Sequence, residues 1–509
     1  MYYYTPTQED FNIIRQQTKD IFIKIELLNR SFKILDTFDA VLIDDNISVD
    51  SQSYQRRNYS CNLYLPDTSF IVDDDHKIWI DKYIRVYYGI KSARTKQVKY
   101  WLIGTFSYQT VDYTYDAVTK QLSLKCLDMM ADYDGTKNGQ LSGYETLIPA
   151  GQDIRKIVIE TLNLAGITKY YIEDIKKEIP YDLEFTGTVT YCDIWTKICE
   201  LYDSWEFFFD VDGTFIWRKI PTGLHEEVSF DDTFIDKTWI SENTSYDFTG
   251  IYNKTEVWGK VLELEYDDRY TEECTFSNGI YTINLPKIGN KEAIEKIENS
   301  EVIEYIEKVN EIDHLDQIGI KICADSIGGD KIKIGSDIIP IVNDDGTPIV
   351  AGRMKAGQTY VFSYRRNLGE TQQNCLYLLG QYQCYGVYIE NSDECPFSVK
   401  NLKYEIINRV DYDELYSDDL CYNQAEYLTY QSTALLDTIT LELLTIPWLN
   451  VNQKIKYTSK TTGETNQYII KNFSWSSLSG TMSMTLYKFL ESFNYVKNRE
   501  RWNHKWHMK

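Results

Sequence analysis

One short acidic segment has the residue types of a metal site. Residues 72–76 read VDDDH, so that three carboxylates and a histidine follow one another directly. Calcium loops take their oxygen ligands from alternating positions and need a glycine at the turn, a pattern that this segment does not match. Because the segment lies between two predicted strands, we predict a solvated turn there and no metal site.

A second pair of carboxylates could suggest acid–base chemistry. Asp210 and Asp212 are two residues apart, and Gly213 follows them directly. An Asp-Gly pair between two apolar runs is typical of a tight β-hairpin, which explains both aspartates without a catalytic role. We therefore assign no catalytic residue to this pair.

Two further motifs invite a binding role. His504 and His507 lie three residues apart in the basic, aromatic C-terminal segment NRERWNHKWHMK, where they could bind a metal ion, but the segment is also typical of a flexible or partner-docking tail. The glycines of GGDKIKIGSD (328–337) lack the Gly-Lys-Ser/Thr ending of a phosphate-binding loop, so they predict turns and strands. The sequence thus predicts no catalytic, cofactor-binding or metal-binding residues.

The cysteines do not form a recognisable framework. They fall on apolar positions, with no C-x-x-C pair, which predicts reduced and packed thiols. Cys192 and Cys199 are seven residues apart on one predicted helix, too far apart to bond to each other. The ten are Cys61, Cys126, Cys192, Cys199, Cys274, Cys323, Cys375, Cys384, Cys395 and Cys421.

Length and charge limit the class of protein. A chain of 509 residues is long enough for three or four domains, and its formal net charge of −24 argues against binding nucleic acid through its phosphates. The chain shows neither a secretory signal nor an apolar run long enough to cross a membrane, so we expect a protein made in a cytoplasm that does not span a membrane.

The elements that would carry these residues are mainly strands. Five alternating runs near the N-terminus predict a β domain, and they are IFIKIELL (21–28), SCNLYL (60–65), KIWIDKYIRVYYGI (77–90), KYWLIGTFSY (99–108) and QLSLKCLD (121–128). Two amphipathic helices follow, GQDIRKIVIETLNLAGI (151–167) and one that opens with a capping box of Thr190 and Asp193. The hairpin EFFFDVDGTFIWRKI (206–220) supplies aromatic residues that could cover both helices.

The second half returns to strands. We predict a strand in NKTEVWGKVLELEY (253–266), a charged helix over 291–320 and a last helix over 416–436. The chain then closes with TITLELL (438–444), QKIKY (453–457), ETNQYIIKNFSW (464–475) and TMSMTL (481–486). In the last run apolar and hydroxyl side chains alternate, as in a half-buried antiparallel sheet, and the turns between the runs allow a meander or small barrel.

The amino-acid sequences of three segments resemble those of the tail hub (baseplate hub) proteins of tailed phages and contractile injection machines. They are IPWLNVNQKIKY with the closing strands, LSLKCLDMMADYDGTKNGQLSG (122–143), and IPYDLEFTGTVTYCDIWTKICELYDSWEFFFDVDGTFIWRKIP (179–221). Together they cover about a third of the chain, in the order that the family uses.

The resemblance implies a fold and a role. The fold would be α+β but mainly β and multi-domain, with two antiparallel β-barrel-like domains and a mixed α/β insert. The domains would be 1–130, an N-terminal β-barrel; 131–245, a helix and hairpin insert; 246–400, a β-rich part with a helix near 291–311; and 401–509, a helix with the closing barrel.

As such a hub, the protein would be a non-enzymatic homotrimeric ring of the virion tail. The ring would join the tail tube or distal tail protein to the spike or fibre proteins, contact the tape measure protein, and line the conduit through which DNA passes in transit. Its acidic charge would keep DNA from adhering to that wall. Two alternatives remain open, namely a tail-associated cell-wall hydrolase, for which the 77 acidic residues could supply a carboxylate pair, and a carbohydrate-binding receptor protein, which the eleven tryptophans and 42 tyrosines could serve.

Overall fold

The protein is mainly β, with 46% of residues in strands and 15% in helices, which confirms the predicted fold class. The computed structural model describes residues 4–489 except 39–40, 66, 116–117, 119, 142–145, 186, 203–204, 222–227, 246–247, 263–269, 284–293, 299–300, 307–313, 344–345, 367–373 and 435–437. His504 and His507 lie outside the described residues.

The first part of the chain forms one half of a twelve-stranded, nearly closed sheet. It consists of helix α1 (Gln8–Ile14) and strands β1 (Ile21–Leu28), β2 (Ile34–Thr37), β3 (Val41–Asp50), β4 (Arg57–Tyr64), β5 (Tyr83–Lys91), β6 (Val98–Tyr115) and β7 (Lys120–Asp128). The five predicted strands are confirmed. The structure adds β2 and β3, and a bulge between Leu42 and Asp44 in β3 breaks the alternation that would have revealed this strand.

The end of the chain completes the same sheet. Its strands are β27 (Thr438–Leu444), β28 (Lys454–Thr458), β29 (Thr465–Trp475) and β30 (Thr481–Phe489), with β13 (Trp239–Ser245) at the edge. The strand order is β13-β27-β30-β29-β3-β4-β7-β6-β5-β1-β2, with β28 beside β29. All four predicted closing strands are confirmed; β28, β29 and β30 form the meander, while β27 pairs with β30.

The two halves of the sheet share one hydrophobic core. Strands β29 and β3 pair antiparallel, with Trp475 opposite Ile47 and Phe473 opposite Val49. All four of these side chains are buried in one cluster with residues from both ends of the chain. The two barrel-like parts are therefore fused into a single body, while the domain boundaries given above stay a prediction.

An insert packs against this body. It contains β8 (Thr146–Ile148), α2 (Ile154–Leu164), β9 (Tyr170–Ile172), β10 (Leu183–Phe185), α3 (Tyr191–Glu200), β11 (Trp205–Phe209), β12 (Phe215–Lys219) and, after it, α4 (Asp232–Ile235). Both predicted helices, the hairpin and the capping box of Thr190 with Asp193 are confirmed. Trp195 is fully buried among the aromatic rings of the hairpin and donates its indole N–H to Thr161 at 2.9 Å.

The remaining elements form two further sheets. A three-stranded sheet of β14 (Lys254–Val261), β25 (Gln383–Ile389) and β26 (Ile407–Asp411) lies under helix α6 (Asp418–Ala434), with α5 (Val399–Leu402) nearby. An eight-stranded sheet with its own core contains β15 (Tyr270–Thr271), β16 (Cys274–Ser277), β17 (Ile280–Ile283), β20 (Gln317–Lys321), β21 (Lys331–Ile334), β22 (Asp337–Val342), β23 (Thr359–Arg365) and β24 (Cys375–Gly380). These elements confirm the predicted strand in 253–266, the strands around GGDKIKIGSD and the last helix.

The helix predicted over 291–320, near 291–311, is wrong. Strands β18 (Ile294–Glu298) and β19 (Glu301–Ile306) pair antiparallel there as a hairpin, and β20 begins at Gln317. The apolar positions of this segment are β-branched isoleucines and valines, which favour extended backbone, and Asn299-Ser300 in the sequence is a turn-forming dipeptide. Their spacing fits a helix equally well, so the period alone misled the prediction. Among the described helices, none has both the length and the apolar character of a membrane span.

Candidate assembly surface and buried ionic junction

The long hairpin of β6 and β7 exposes apolar side chains at one end of the sheet. We call the exposed side chains of Val41, Ile43, Tyr64, Ile71, Tyr113 and Tyr115 the apolar tip. Their exposed fractions run from 42% for Tyr64 to 72% for Tyr115. Exposed apolar groups that cluster in this way mark contact surfaces more often than single ones do.

The strand register brings the apolar tip together. Val41 on β3 lies opposite Tyr64 on β4, and Tyr64 lies opposite Gln121 on β7. Tyr115 on β6 lies opposite Lys120 in the same hairpin. The loop between β4 and β5 is held against this end because the Tyr113 hydroxyl donates a hydrogen bond to the carbonyl of Phe70, next to Ile71.

The acidic segment 72–76 lies in that loop and forms the predicted turn. The carboxylates of Asp73, Asp74 and Asp75 lie within 4.8 Å of one another, and Asp73 accepts a hydrogen bond from the backbone N–H of Asp75 at 3.1 Å. The hydrogen bond between the side chains of Asp73 and Asp74 lowers the pKa of Asp73 and raises the pKa of Asp74. The buried ammonium of Lys82 donates to the carbonyls of Asp74 and His76. A lysine thus organises the loop from within.

The opposite end of the β5–β6 hairpin is basic. Its turn carries Lys91, Arg94, Lys96 and Lys99, and the Arg94 side chain is 85% exposed. Strand β6 has 18 residues, which at about 3.3 Å per residue separates the two ends by about 60 Å. One end of this body is therefore apolar with an acidic loop, and the other carries four basic side chains, of which Arg94 pairs with Glu9 and Lys99 with Asp10.

A buried ionic junction joins the sheet to the insert. Glu206 on β11 accepts from Arg56 at 2.7 Å and from Arg218 at 2.8 Å. The Arg56 guanidinium also lies 3.7 Å from the ring centroid of Phe208. Burial would raise the pKa of Glu206, but the two guanidinium charges outweigh it, so the pKa is lowered. This glutamate is therefore ionised in the folded protein at neutral pH.

The neighbouring arginine ties three parts of the chain together. Arg57 begins β4 and donates to the carbonyl of Phe209 in the insert at 3.1 Å and to the side chain of Asn450, before β28, at 2.7 Å. Asn452 reaches the same Glu206 at 3.3 Å. The junction therefore connects the first strands, the insert hairpin and the closing strands through buried polar contacts.

Asp128 lies beside this junction, and its carboxyl group has an unusually high pKa. Its carboxylate accepts backbone hydrogen bonds from Met130 at 2.8 Å and Arg57 at 3.2 Å. Burial raises the pKa of Asp128 to about 7, and the hydrogen bonds and the Arg57 charge only partly oppose this. The folded protein thus retains a proton here that the unfolded chain loses near pH 4.

We expect Asp128→Asn to change the pH dependence of stability. Since the pKa is higher in the folded state, this carboxyl lowers the free energy of unfolding progressively from about pH 4 to about pH 7 and no further above. The variant lacks that decline, so its stability relative to the unchanged protein should rise by about 1 to 3 kcal/mol between pH 5 and pH 8. Urea unfolding at four pH values measures it, and parallel pH profiles would contradict the expectation.

The second carboxylate pair forms the hairpin turn, as predicted. Asp212 accepts from the hydroxyl of Thr214 at 2.7 Å and pairs with Lys169 at 2.7 Å. Gly213 has a φ of +79°, a conformation that favours glycine, and donates to the carbonyl of Asp210 at 2.9 Å.

The cysteine prediction holds for most of the ten thiols. The ten cysteines all lie among the described residues and form no disulfide, and eight of them are buried, including Cys192 and Cys199. Cys274 is only half-buried and Cys323 is exposed, so these two are not packed thiols. The sequence prediction placed both on apolar positions and therefore did not predict their exposure.

The junction residues were also missed. Arg56 and Glu206 are 150 residues apart, and Arg57 and Asn450 are 393 apart. No local pattern indicates such contacts. The only sequence signal was the pair of adjacent arginines, Arg56 and Arg57, shortly before the strand predicted over 60–65.

Comparison with protein families gives one match. Residues 394–493, which contain α5, α6 and the closing strands, match a domain of unknown function, DUF5048. No curated protein matches the chain.

Comparison with solved structures gives tail proteins. The chain is similar to the 43 kDa tail protein of prophage MuSo2 from Shewanella oneidensis, with 9% identity, a TM-score of 0.46 and coverage of 91% of this chain and 98% of that one. For the tail protein from Neisseria meningitidis MC58 the values are 8%, 0.48, 92% and 96%. For prophage tail protein gp18 from Listeria monocytogenes EGD-e they are 8%, 0.43, 94% and 98%. With identities and TM-scores at this level, the likenesses alone do not establish a function.

Proposed function

We propose that this chain is a structural hub protein of a phage-type tail, and that three copies form a ring. The proposal begins from the three segments whose amino-acid sequences resemble those of tail hub proteins. One contains the strands that close the shared sheet, one runs through β7 to the start of the insert, and one carries α3 with the β11–β12 hairpin. All three therefore belong to the body that the ionic junction holds together.

The observation that carries the proposal is the polarity of that body. The β4–β5 loop, which the Tyr113 hydroxyl holds against the apolar tip, carries Asp67 and Asp73, and the basic turn with Arg94 and Lys96 lies at the other end of the hairpin. Two unlike ends favour a head-to-tail contact between copies, and such a contact closes into a ring when its rotation permits. Copies with a net charge of −24 repel one another, so their contact needs an apolar or charge-complementary surface such as this one.

In this proposal the ring acts as an adapter. It connects the tail tube or distal tail protein to the spike or fibre proteins and meets the tape measure protein, and DNA passes through it only in transit. A predominantly acidic wall would repel the phosphate backbone and let DNA slide past. The protein would be located in the virion tail, at the baseplate. The domain boundaries at 130, 245 and 400 belong to the same proposal.

The ring is tested by mass and shape. We expect native mass spectrometry and negative-stain imaging at high protein concentration, with the tail tube protein added, to show trimers with a central opening. A chain that stays monomeric at high concentration, both alone and with the tail tube protein, would contradict the proposed ring. Turnover of bacterial wall material by the purified protein would instead favour the hydrolase alternative.

We expect Tyr115→Asp to weaken the ring. Placing a charge in the apolar tip should raise the concentration needed for half-assembly at least about tenfold, since an interface tyrosine contributes about 1 to 2 kcal/mol. The control is Tyr382→Asp, because both tyrosines are 72% exposed and Tyr382 lies at the β24–β25 turn, outside the apolar tip. Analytical ultracentrifugation over a concentration series compares them. Equal assembly of the two variants would exclude the apolar tip as the contact.

A further inference from the structure

Two thiols from distant parts of the chain lie side by side on the eight-stranded sheet. The Sγ atoms of Cys274 and Cys323 are 3.0 Å apart, and the Cys323 thiol donates toward the Cys274 sulfur. The backbone N–H of Cys323 also hydrogen-bonds to Cys274. Cys274 is half-buried and Cys323 is exposed to solvent.

The pairing of β15 with β20 explains why the two thiols meet. These strands are parallel, with Tyr270 beside Gly319 and Thr271 beside Ile320. The same offset places Glu272 beside Lys321, and these two form an ion pair at 3.4 Å. Three residues beyond Thr271 and Ile320, the offset brings Cys274 beside Cys323. The ladder itself ends at Thr271 and Ile320, and the chain on either side carries the two sulfurs to within 3.0 Å of each other.

We infer that Cys274 and Cys323 are a reversible disulfide site, reduced where the chain is made and oxidised when it meets a small disulfide such as oxidised glutathione. The inference is independent of the proposed hub function. The sulfurs need to approach by only about 1 Å to reach bonding distance. Both flanking segments are held, by the pairing of β15 with β20 on one side and by the hydrogen bond from Tyr281 to the carbonyl of Ala324 on the other.

The two thiols have different roles in the exchange. The exposed Cys323 loses its proton and attacks one sulfur of oxidised glutathione, which releases one glutathione thiolate and leaves a mixed disulfide. Cys274 then loses its proton and attacks the Cys323 sulfur, which releases the second glutathione. Overall two protein thiols are oxidised and one small disulfide is reduced to two thiols. Burial and the Cys323 thiol raise the pKa of Cys274 to about 12, so Cys274 is not the thiol that attacks glutathione first. Its sulfur lies 3.0 Å from that of Cys323, and this proximity favours the second, intramolecular step.

The bond would close a long loop that contains the β18–β19 hairpin. Strands β16 to β20 lie between the two cysteines in the chain. Closing a loop of this length restricts the unfolded chain, so the oxidised sheet should be more resistant to heat than the reduced one.

The experiment uses the full chain and a glutathione redox buffer. After incubation with excess oxidised glutathione, intact mass spectrometry should show the loss of two hydrogen atoms, and peptide mapping should link Cys274 to Cys323. The melting temperature of the β15–β24 sheet should rise by about 5 °C and return on reduction. Cys323→Ser should abolish both effects. Cys61 and Cys126, buried on neighbouring strands β4 and β7, are the internal control and should stay reduced.

Four results would overturn the inference. The first three are a glutathione adduct that persists on Cys323 without internal exchange, a link between two copies of the chain on a non-reducing gel, and a mapped disulfide that involves another cysteine. The Cys274→Ala variant is the reference for the persistent adduct, because without Cys274 the internal bond should be replaced by a stable glutathione adduct on Cys323. A lack of any reaction at Cys323 would overturn it as well. A failure of these experiments leaves the trimer measurements unaffected.

Discussion

Glu206→Ala should destabilise the protein by about 3 to 5 kcal/mol, because the substitution leaves the buried guanidinium group of Arg56 and the partly buried one of Arg218 facing each other without their shared carboxylate. Arg56 is 2% exposed and has no hydrogen-bond partner for its Nε and Nη1 atoms among the described residues, so it depends on Glu206. Urea unfolding followed by tryptophan fluorescence measures the loss. The contacts between the insert hairpin and the closing strands should weaken first.

The control for this variant is an exposed ion pair. Glu272 pairs with Lys321 at 3.4 Å, but its side chain is 62% exposed, so Glu272→Ala should leave stability unchanged within error. Equal effects of the two substitutions would show that the buried junction does not hold the body together. Glu206→Gln keeps the shape and should fall between the two.

Acid should act on the same junction. The pKa of Glu206 is lower in the folded than in the unfolded state, so its contribution to stability is complete above the unfolded value and disappears as the pH falls through the folded value. For this residue the loss is therefore confined to pH values below about 4.5. Asp128 changes stability between pH 4 and pH 7, so the two groups can be separated by pH.

Residues 1–130 expressed alone should not fold. The core of this segment also contains Ile470, Phe473, Trp475 and Met484 from the closing strands, and β3 would lose its partner β29. The isolated segment would expose that apolar surface and an unpaired strand edge. We expect no near-ultraviolet circular dichroism, no cooperative melting and rapid proteolysis, where the full chain is protected.

A second fragment serves as the matched control. Residues 270–380 contain the eight-stranded sheet, whose core is separate from the others. This fragment should fold and melt cooperatively by itself. If 1–130 also melts cooperatively, the shared core is not required, and the boundary at 130 is a true domain boundary.

Sequence patterns predicted those parts of the fold that local chemistry determines. The alternating runs of β1 and β30, the Thr190 capping box and the Asp212-Gly213 turn each depend on residues close together in the chain. The hairpin of β18 and β19 was mistaken for a helix because isoleucines and valines at those spacings fit both structures. Strand β3 was missed because its bulge interrupts the alternation.

The candidate sites were harder to predict, for a different physical reason. The apolar tip, the ionic junction and the Cys274–Cys323 pair all depend on the register between strands or loops distant in sequence. Arg56 gives no sign in the sequence that Glu206 will face it, and Cys274 gives none that it will face Cys323. Cys274 and Cys323 become neighbours only through the pairing of β15 with β20. Arg56 and Glu206 become neighbours only because the β11–β12 hairpin lies beside the start of β4.

The pairing of β3 with β29 also determines when the protein can be completed during synthesis. In this pairing Asp50 lies opposite Asn472, and Asn472 leaves the ribosome about 420 residues after Asp50. At about 5 to 20 residues per second the first strands remain unfinished for about 20 to 80 seconds, while the intervening sheets can fold. A chain that terminates early can never close this body. The last strands therefore act as a completeness check, since the first strands lack a sheet partner and part of their core until those strands have been made.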